Sequence, residues 1–272
     1  MKKIRPPHVA GYFYPADPIK LKTDIQKMLE AAKTDASFNK IVGIVSPHAG
    51  YMYSGQTAAY AYNMLKGKNY KTAIVISPSH AEYFPGISVY DGDAYETPLG
   101  VVEIDDEKAN KLVEGGKLIF RGIHGHRREH ALEVQIPFLQ SVLSDFKIVP
   151  VVMGDQSRTF VDELANKLAE IIDDKTLIVA SSDLSHFYDA RTADILDSIV
   201  AKRINEFDYE QLQRDLDSHK CEACGGGPIV TMLKAAALNN YNKAKVLKRT
   251  DSSDVTGDKS EVVGYLSAVV YD

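Results

Sequence analysis

The 272-residue sequence contains no tryptophan and only two cysteines, Cys221 and Cys224. Two cysteines are too few for the multiple-disulfide framework that holds many small secreted domains together. So low a cysteine content is typical of a reducing compartment, and we therefore expect a cytoplasmic protein.

The sequence also lacks long apolar runs and any excess of basic residues. Its longest apolar runs have the length of a strand, far short of the roughly 20 residues that a membrane-spanning helix needs. The first 18 residues include two lysines but no apolar core, which is unlike a signal peptide. The formal net charge is −5 with acidic and basic residues intermixed, whereas nucleic-acid surfaces show a basic stripe. We expect neither a membrane nor a nucleic acid as partner.

Strand-length and helix-length apolar patterns alternate along most of the chain. Runs rich in β-branched residues occupy positions 41–45, 72–76 and 177–180, and helical spacing of apolar residues marks 21–32, 160–172 and 190–205. Such alternation predicts an α/β fold, a single three-layer domain with a mostly parallel or mixed central sheet. The domain is expected to span residues 1–272, because no linker divides it.

Three local features interrupt this alternation. Residues 1–18 are rich in proline and tyrosine, which predicts an arm packed on the domain rather than a helix or a central strand. Two short alternating runs, 87–90 and 101–104, lie in a Gly- and Pro-rich stretch and predict a β-hairpin. Pro137 lies inside a helical pattern at 132–143 and should kink or end that helix.

Three of the strand-like runs end in serine and are followed shortly by histidine. The segments are SPH ending at His48, SPSH ending at His80 and SSDLSH ending at His186. Ligands of open α/β sheets bind beyond the carboxyl ends of the strands, so these imidazoles should converge on one polar site. A lone histidine after a strand is usually only a polar loop residue, but three in equivalent positions favour a functional site. Two imidazoles, a third donor and open positions are typical of non-haem iron or hydrolytic zinc.

Asp183 lies three residues before His186. A carboxylate beside an imidazole fixes its tautomer and raises its basicity, so this pair could serve as a general base. Alternatively, Asp183 caps a helix that starts near residue 185 or 189, and the two roles are compatible. A serine hydrolase built on Ser181 is disfavoured, because no GxSxG motif is present and residues so close in sequence do not readily form a triad.

The stretch GIHGHRREHALEVQ is the most polar part of the sequence. His130 and Glu133 lie three apart on a predicted helix and so share one face, which makes both of them candidate pocket residues. This spacing occurs in carboxylate-bridged di-metal helices, for which a single copy is weak support. The alternative is a solvated helix start that includes the charged residues 127–129. The pattern leaves the roles of His124 and His126 open.

Cys221 and Cys224 form a CxxC motif followed by Gly-Gly-Gly-Pro. A structural zinc site needs four ligands and no second CxxC exists, while the glycine run lacks the Lys-Ser/Thr of a phosphate-binding P-loop. Cys224 lies just before a helix expected to begin at Pro228, and a helix N-terminus favours thiolate. Because thiolate is a soft ligand for Cu(I), zinc or iron, Cys224 is a candidate third donor. The role of Cys221 stays open.

Six motifs together resemble the Memo family: AGYFYPADP, SPHAGYMYSG, SPSH, HRREHALEVQIPFLQ, SSDLSHF and CGGGPI. They occur in the family's order and cover nearly the whole chain. Memo proteins are similar in fold to class III extradiol ring-cleaving dioxygenases, which hold Fe(II) with two histidines and a glutamate. In animals, Memo-like proteins are linked to receptor signalling, phosphopeptide binding and metal-dependent redox chemistry. In microbes, the family is often found alongside a radical-SAM enzyme.

The resemblance implies a role for each matching residue. His48 and His80 match the two metal histidines, His186 matches the acid/base histidine with Asp183 beside it, and Cys224 replaces the third ligand. A thiolate in place of a carboxylate makes the site softer and more tolerant of copper, and it departs from the ring-cleaving enzymes.

Three functions are consistent with these residues. The first is a metal-dependent redox enzyme with Fe(II) or copper at the two histidines and Cys224, and with His130 and Glu133 near the substrate. The second is a non-catalytic adaptor that binds a peptide or a metabolite in a vestigial dioxygenase pocket, whose tyrosine-rich rim includes Tyr51. The third is a zinc hydrolase with His186 as base. In each case we expect a small-molecule or peptide ligand.

Overall fold

The computed structural model describes residues 2–272. The elements in chain order are β1 (Ile4–Arg5), α1 (Pro18–Ala31), β2 (Ile41–Ser46), a π-helix (Tyr51–Gly55), α2 (Gln56–Asn63), β3 (Thr72–Pro78), β4 (Ile87–Tyr90), β5 (Ala94–Thr97), β6 (Gly100–Glu103), α3 (Asp106–Val113), β7 (Ile119–Gly122), α4 (His130–Glu133), α5 (Ile136–Val142), β8 (Lys147–Met153), α6 (Arg158–Ile171), β9 (Thr176–Ser181), β10 (His186–Tyr188), α7 (Ala190–Asn205), α8 (Tyr209–Asp217), α9 (Gly226–Leu238), β11 (Lys243–Asp251), α10 (Ser253–Thr256) and β12 (Val262–Tyr271).

A nine-stranded mixed sheet forms the centre of the domain. Its order is β10-β12-β2-β9-β3-β8-β4-β7, and β11 pairs with β12. Strands β2, β9, β3 and β8 run parallel to one another, whereas β12 joins β2 antiparallel and β4 joins β8 antiparallel. Helices α1, α2 and α5 pack together, and α6, α8 and α9 form a second packed set. The predicted α/β domain with a mixed central sheet is confirmed.

The central strands are buried on both faces. Every residue of β2, β3 and β9 is buried, which explains why the sequence there reads as continuous apolar runs rather than as alternation. Gly43 in β2 allows α9 to approach closely, because a Cβ there would overlap the side chain of Met232.

Helix α1 begins and packs as its sequence predicts. The side chain of Asp17 accepts a hydrogen bond from the N–H of Lys20 at 2.7 Å, and Pro18 occupies the first turn, where its missing N–H costs nothing. Leu21, Ile25 and Leu29 follow at four-residue spacing and are buried on one face.

The predicted hairpin of residues 87–90 with 101–104 is wrong. Strand β4 is buried along its whole length and joins the main sheet between β8 and β7. The hairpin instead joins β5 to β6, and β1 of the N-terminal arm pairs parallel with β5 to complete a separate three-stranded sheet. Strand β4 is buried on both faces within the large sheet, and a run of only four residues does not indicate such burial.

Pro137 divides a helical pattern as expected. Helix α4 ends at Glu133, and α5 begins at Ile136 with Pro137 in its first turn. Before α2, the chain forms a single π-helical turn, a rare local structure that is frequent at functional sites. None of the helices in residues 2–272 combines the length and the apolar character needed to cross a membrane.

Candidate metal centre

The parallel strands bring three of the predicted residues to one edge of the sheet. Ser46 at the end of β2 pairs in register with Ser181 at the end of β9, and β3 flanks β9 on its other side. The segments that follow these strands carry His48, His80 and Asp183. Convergence of these residues thus follows from the parallel pairing of their strands.

His48 and Cys224 lie in direct contact although 176 residues separate them. The Nε2 atom of His48 is 3.1 Å from the Sγ atom of Cys224, and the side chain of His48 is almost wholly buried. Donor atoms of His48, His80 and Cys224 all lie within 4.8 Å of one another. Two imidazoles and one thiolate form a donor set that suits iron, copper or zinc. The residues present therefore fit a transition metal.

The tautomer of His48 is determined by its neighbours. Its Nδ1 atom lies 2.9 Å from the hydroxyl of Ser181, whose one hydrogen is donated to the carbonyl of Ala131 at 2.6 Å. The amide of Gln135 also donates to this hydroxyl at 2.8 Å. Because the hydroxyl has no hydrogen left to give, Nδ1 of His48 must be the donor. The lone pair of Nε2 then faces Cys224, as metal binding requires.

His80 is held by a carboxylate that the sequence did not single out. Glu129 accepts hydrogen bonds from the main-chain N–H of His80 at 2.6 Å and from its ring Nδ1 at 2.9 Å. Burial disfavours the charged imidazole, but the hydrogen bond and negative charge of Glu129 outweigh it and raise the pKa of His80. A carboxylate on the second nitrogen is the usual partner of a metal-binding histidine.

The interpretation of residues 127–129 as a solvated helix start is wrong for Glu129, which is buried. Burial works against its charged form, yet the bond to His80 outweighs that effect and lowers the pKa of Glu129. Its side chain also accepts a hydrogen bond from the N–H of Ala131, at the start of α4. No spacing rule in the sequence points to this residue, and its adjacency to His130 is the one available signal.

His130 lies among the candidate ligands. Its ring stacks on that of His80 with centroids 4.8 Å apart, and it meets His48 edge-on at 5.6 Å. Burial lowers the pKa of His130, so this imidazole is neutral at ordinary pH. Together with His80 and Glu129 it forms a second cluster of potential donors.

Asp183 secures the loop that carries His48. Its Oδ1 atom accepts a hydrogen bond from the N–H of His48 at 2.7 Å, and its own N–H donates to Sγ of Cys224 at 3.2 Å. Burial raises the pKa of the Asp183 carboxyl to about 7. The alternative interpretation of Asp183 as a helix cap is wrong, because Asp189 caps α7. The carboxylate lies 3.9 Å from Nε2 of His48.

His186 lies further out, on the wall of an adjoining cavity. Its Nδ1–H donates to the carbonyl of Leu184 at 2.9 Å, which leaves the lone pair on Nε2. The predicted pairing of Asp183 with His186 is therefore wrong, because the Asp183 carboxylate bonds to His48 instead. Burial lowers the pKa of His186 and keeps the ring neutral. The next residue, Phe187, has φ of +65° although it carries a side chain, so the backbone beside His186 is strained.

The two cysteines differ in their surroundings. Helix α9 begins at Gly226, just after Cys224, but burial dominates over the helix N-terminus and raises the pKa of the Cys224 thiol. The expected thiolate therefore needs a bound cation, since a coordinating thiol loses its proton. Cys221 is buried, and burial raises the pKa of its thiol to about 12.

Glu133 and Tyr51 have partners outside the cluster. Both carboxylate oxygens of Glu133 bind the N-terminal arm: Arg5 Nη1 at 2.7 Å, the N–H groups of His8 and Val9 at 2.8–3.0 Å and the Tyr14 hydroxyl at 2.6 Å. Tyr51 donates its hydroxyl to the carbonyl of Val134 at 2.7 Å. His130 and Glu133 therefore do not act from one face, because the single turn of α4 directs one to the cluster and the other to the arm.

The histidines at 124 and 126 also lie outside the cluster. His126 is buried between the hydroxyl of Tyr95 and the carbonyl of Ser88, and burial lowers its pKa to about 3. His124 packs against Phe84 and Phe120 and is exposed.

Fold and site together define a class: an α/β domain that places a His/His/Cys donor set at the carboxyl edge of its sheet. Comparison with known proteins supplies the family. Residues 5–269 match the family model of Memo-like proteins, and the chain belongs to the Memo family.

Curated relatives cover nearly the whole length of the chain. A MEMO1 family protein of Nitrosopumilus maritimus is 37% identical over 96% of this chain and 98% of its own length. A MEMO1 family protein of Methanocaldococcus jannaschii is 36% identical over 99% of this chain and 100% of its own. Among solved structures, an uncharacterized protein of Escherichia coli K12 matches 85% of this chain and 100% of its own with a TM-score of 0.45 and 15% identity.

Proposed function

We propose that this protein is a metal-dependent redox enzyme that holds iron or copper with His48, His80 and Cys224. The observation that carries the proposal is the contact between Nε2 of His48 and Sγ of Cys224, at 3.1 Å, inside a network that fixes the tautomer of His48. The hydrogen bond from His80 to Glu129 supports the second imidazole in the same way.

A metal held by these two imidazoles and the thiolate would supply electron-transfer or oxygen chemistry. The thiolate makes the donor set softer than two histidines and a carboxylate, so the site suits copper as well as iron. We therefore propose a redox reaction other than ring cleavage.

Two neutral imidazoles near this centre can accept protons. The Nδ1–H of His186 is committed to Leu184, so Nε2 can accept a proton from a ligand in the cavity. His130, held neutral by burial, offers a second imidazole beside His80. Asp183 fixes the His48 main chain. Because its pKa is raised to about 7, its carboxyl is protonated and uncharged below that pH.

The test is anaerobic metal loading of untagged protein, followed by measurement of oxygen uptake with candidate reductants. We expect one iron or copper per chain, lost in His80→Ala and Cys224→Ser and kept in His124→Ala, which removes an exposed imidazole outside the cluster. His186→Asn should retain the metal and lose oxygen uptake. Zinc content without a redox signature would instead favour a zinc hydrolase.

The second candidate is a binding protein, favoured by an open apolar groove. The groove has a volume of about 520 Å³ and is lined by Tyr12, Phe13, Met28 and Met52 among others, and Tyr12 and Met52 are largely exposed. Failure to take up iron or copper, with peptide binding that survives His186→Ala, would favour this adaptor function.

A further inference from the structure

The ring of His186 is bonded to the backbone of its own segment. Its Nδ1–H donates to the carbonyl of Leu184 at 2.9 Å, whereas the carboxylate of Asp183 is bonded to the main chain of His48. A neutral imidazole carries its one hydrogen on either Nδ1 or Nε2. The strength of the Leu184 carbonyl as an acceptor therefore determines which nitrogen of His186 carries the proton.

A buried carboxylate is bonded to the other end of the same peptide group. The carbonyl of Leu184 and the N–H of Ser185 belong to one trans peptide unit, so they point in opposite directions. The N–H of Ser185 donates to Oδ1 of Asp197 at 3.0 Å. A chain of two hydrogen bonds thus joins the carboxylate of Asp197 to the ring of His186 through one peptide group.

Asp197 reaches this peptide from helix α7, where the helix packs against strand β12. Its side chain is almost wholly buried. A Cβ at Gly264 of β12 would overlap Oδ2 of Asp197, so the close approach of the carboxylate requires glycine at this position. A side chain at position 264 would therefore force the carboxylate away from Ser185.

Strand β12 also fixes the orientation of the peptide group. The N–H of Leu184 donates to the carbonyl of Gly264 at 2.8 Å, and the N–H of Gly264 donates to the carbonyl of Ser185 at 2.9 Å. These two bonds hold the backbone on both sides of the Leu184–Ser185 peptide. Its N–H is thereby directed to Asp197 and its carbonyl to His186.

The charge of Asp197 is only partly compensated. Burial raises the pKa of its carboxyl to about 6, so the carboxylate is ionised above that pH. Arg249 is the cation that acts on it, but its guanidinium donates to Asp194, from Nη1 to the main-chain carbonyl at 3.1 Å and from Nη2 to Oδ1 at 2.5 Å. The carboxylate of Asp251 adds a second negative charge nearby. Because Arg249 is bonded elsewhere, the buried charge of Asp197 acts strongly on the peptide dipole to which it is bonded.

This charge strengthens the hydrogen bond of His186. A carboxylate at the N–H end of a peptide increases the negative charge on the carbonyl oxygen, because consecutive hydrogen bonds polarise one another. The carbonyl of Leu184 then holds the hydrogen of the imidazole more firmly on Nδ1. The lone pair of Nε2 stays available to accept a proton from a ligand in the cavity.

We propose that Asp197 is a positioning residue for His186 and holds it as the Nδ1–H tautomer through the Leu184–Ser185 peptide group. Asp197 lies outside the cavity that His186 lines, so it acts through His186 and not on a ligand. The chain of hydrogen bonds rests on the geometry alone, whereas its relevance to proton transfer rests on the proposed function.

The test is nitrogen NMR of the imidazoles in metal-free, full-length protein at about pH 8, where Asp197 is ionised. Loss of a signal in His186→Asn assigns the ring of His186. We expect the Nδ1–H tautomer in the wild type, and in Asp197→Asn a fall of about three- to tenfold in the ratio of the Nδ1–H to the Nε2–H tautomer. Asparagine keeps an oxygen that accepts the N–H of Ser185 and removes only the charge, so a merely structural role predicts no change.

Gly264→Ala provides a second variant, because it displaces the carboxylate without removing its charge, and the ratio should fall here too. Glu206→Gln is the matched control, since it removes an equal charge from the far end of α7, where Glu206 pairs with Lys202 and Arg203. A wild-type ratio in Asp197→Asn, the Nε2–H tautomer in the wild type, or an equal change in the control would each overturn the proposal.

Metal content and oxygen uptake are measured on the same variants after metal loading. Asp197→Asn should keep the metal, because Asp197 is not among the proposed ligands. A wild-type protein that takes up no metal while the tautomer shifts as expected contradicts the proposed redox function alone. Bound metal and oxygen uptake with an unchanged tautomer contradict the role of Asp197 alone.

Discussion

The carboxylate of Glu129 accepts two hydrogen bonds from a single residue, His80: one from its main-chain N–H at 2.6 Å and one from its ring Nδ1 at 2.9 Å. Both the backbone and the imidazole of His80 are thereby fixed relative to α4, and the ring can present only Nε2 to a metal. Although Glu129 lies in a different segment of the chain, it determines the orientation of a proposed ligand.

Neutralising Glu129 should weaken metal binding without removing a ligand. We expect Glu129→Gln to lower the metal affinity about 10- to 100-fold, because an amide is a poorer acceptor for the Nδ1–H of His80. Competition with a chelator of known affinity measures the change. The surface variant Glu107→Gln, which loses only an exposed pair with Lys111, should match the wild type.

Removing the hydroxyl of Ser181 should release the tautomer of His48. Ser181→Ala deletes the acceptor of the Nδ1–H and leaves a buried donor unpaired, which costs about 1–3 kcal/mol of stability. Urea denaturation measures the cost, and nitrogen chemical shifts of the imidazole report the tautomer. Wild-type stability together with an unchanged Nδ1–H tautomer would show that Ser181 does not hold this ring.

The buried pair of Arg5 and Glu133 should dominate the docking of the N-terminal arm. Glu133→Ala removes the carboxylate paired with the Arg5 guanidinium and leaves the N–H groups of His8 and Val9 and the Tyr14 hydroxyl without their acceptor, and we expect a loss of about 3–5 kcal/mol in the free energy of unfolding. In a double-mutant cycle, Arg5→Met should cost much less in the Glu133→Ala background than in the wild type. Additive losses would show that the two residues are not coupled.

Asp197 should make stability depend on pH. Burial raises the pKa of its carboxyl to about 6 from an ordinary value of 3.8, so between these values the folded state holds a proton that the unfolded state has lost. Stability should therefore fall as pH rises through this window, by up to about 3 kcal/mol, and then remain constant above it. Urea denaturation from pH 4 to pH 8 tests this, and Asp197→Asn should lack this component of the slope.

The sequence predicts the convergence of His48 and His80 because each follows a buried strand, and parallel strands end at one edge. Glu129 could not be found in this way, since its burial depends on how its loop returns to the end of β3. The contacts of Glu133 with the N-terminal arm could not be predicted from the sequence either, because spacing on a helix does not indicate which segment covers each face. The sequence pattern also pairs β4 with the wrong strand, because four alternating residues do not reveal burial on both sides.

X-ray absorption of the metal-loaded protein tests the proposed His/His/Cys centre most directly. We expect one sulfur and two imidazole nitrogens bound to the metal, with the sulfur absent in Cys224→Ser and one imidazole absent in His80→Ala. A metal bound without sulfur, or with the same spectrum in both variants, would contradict the site proposed for His48, His80 and Cys224.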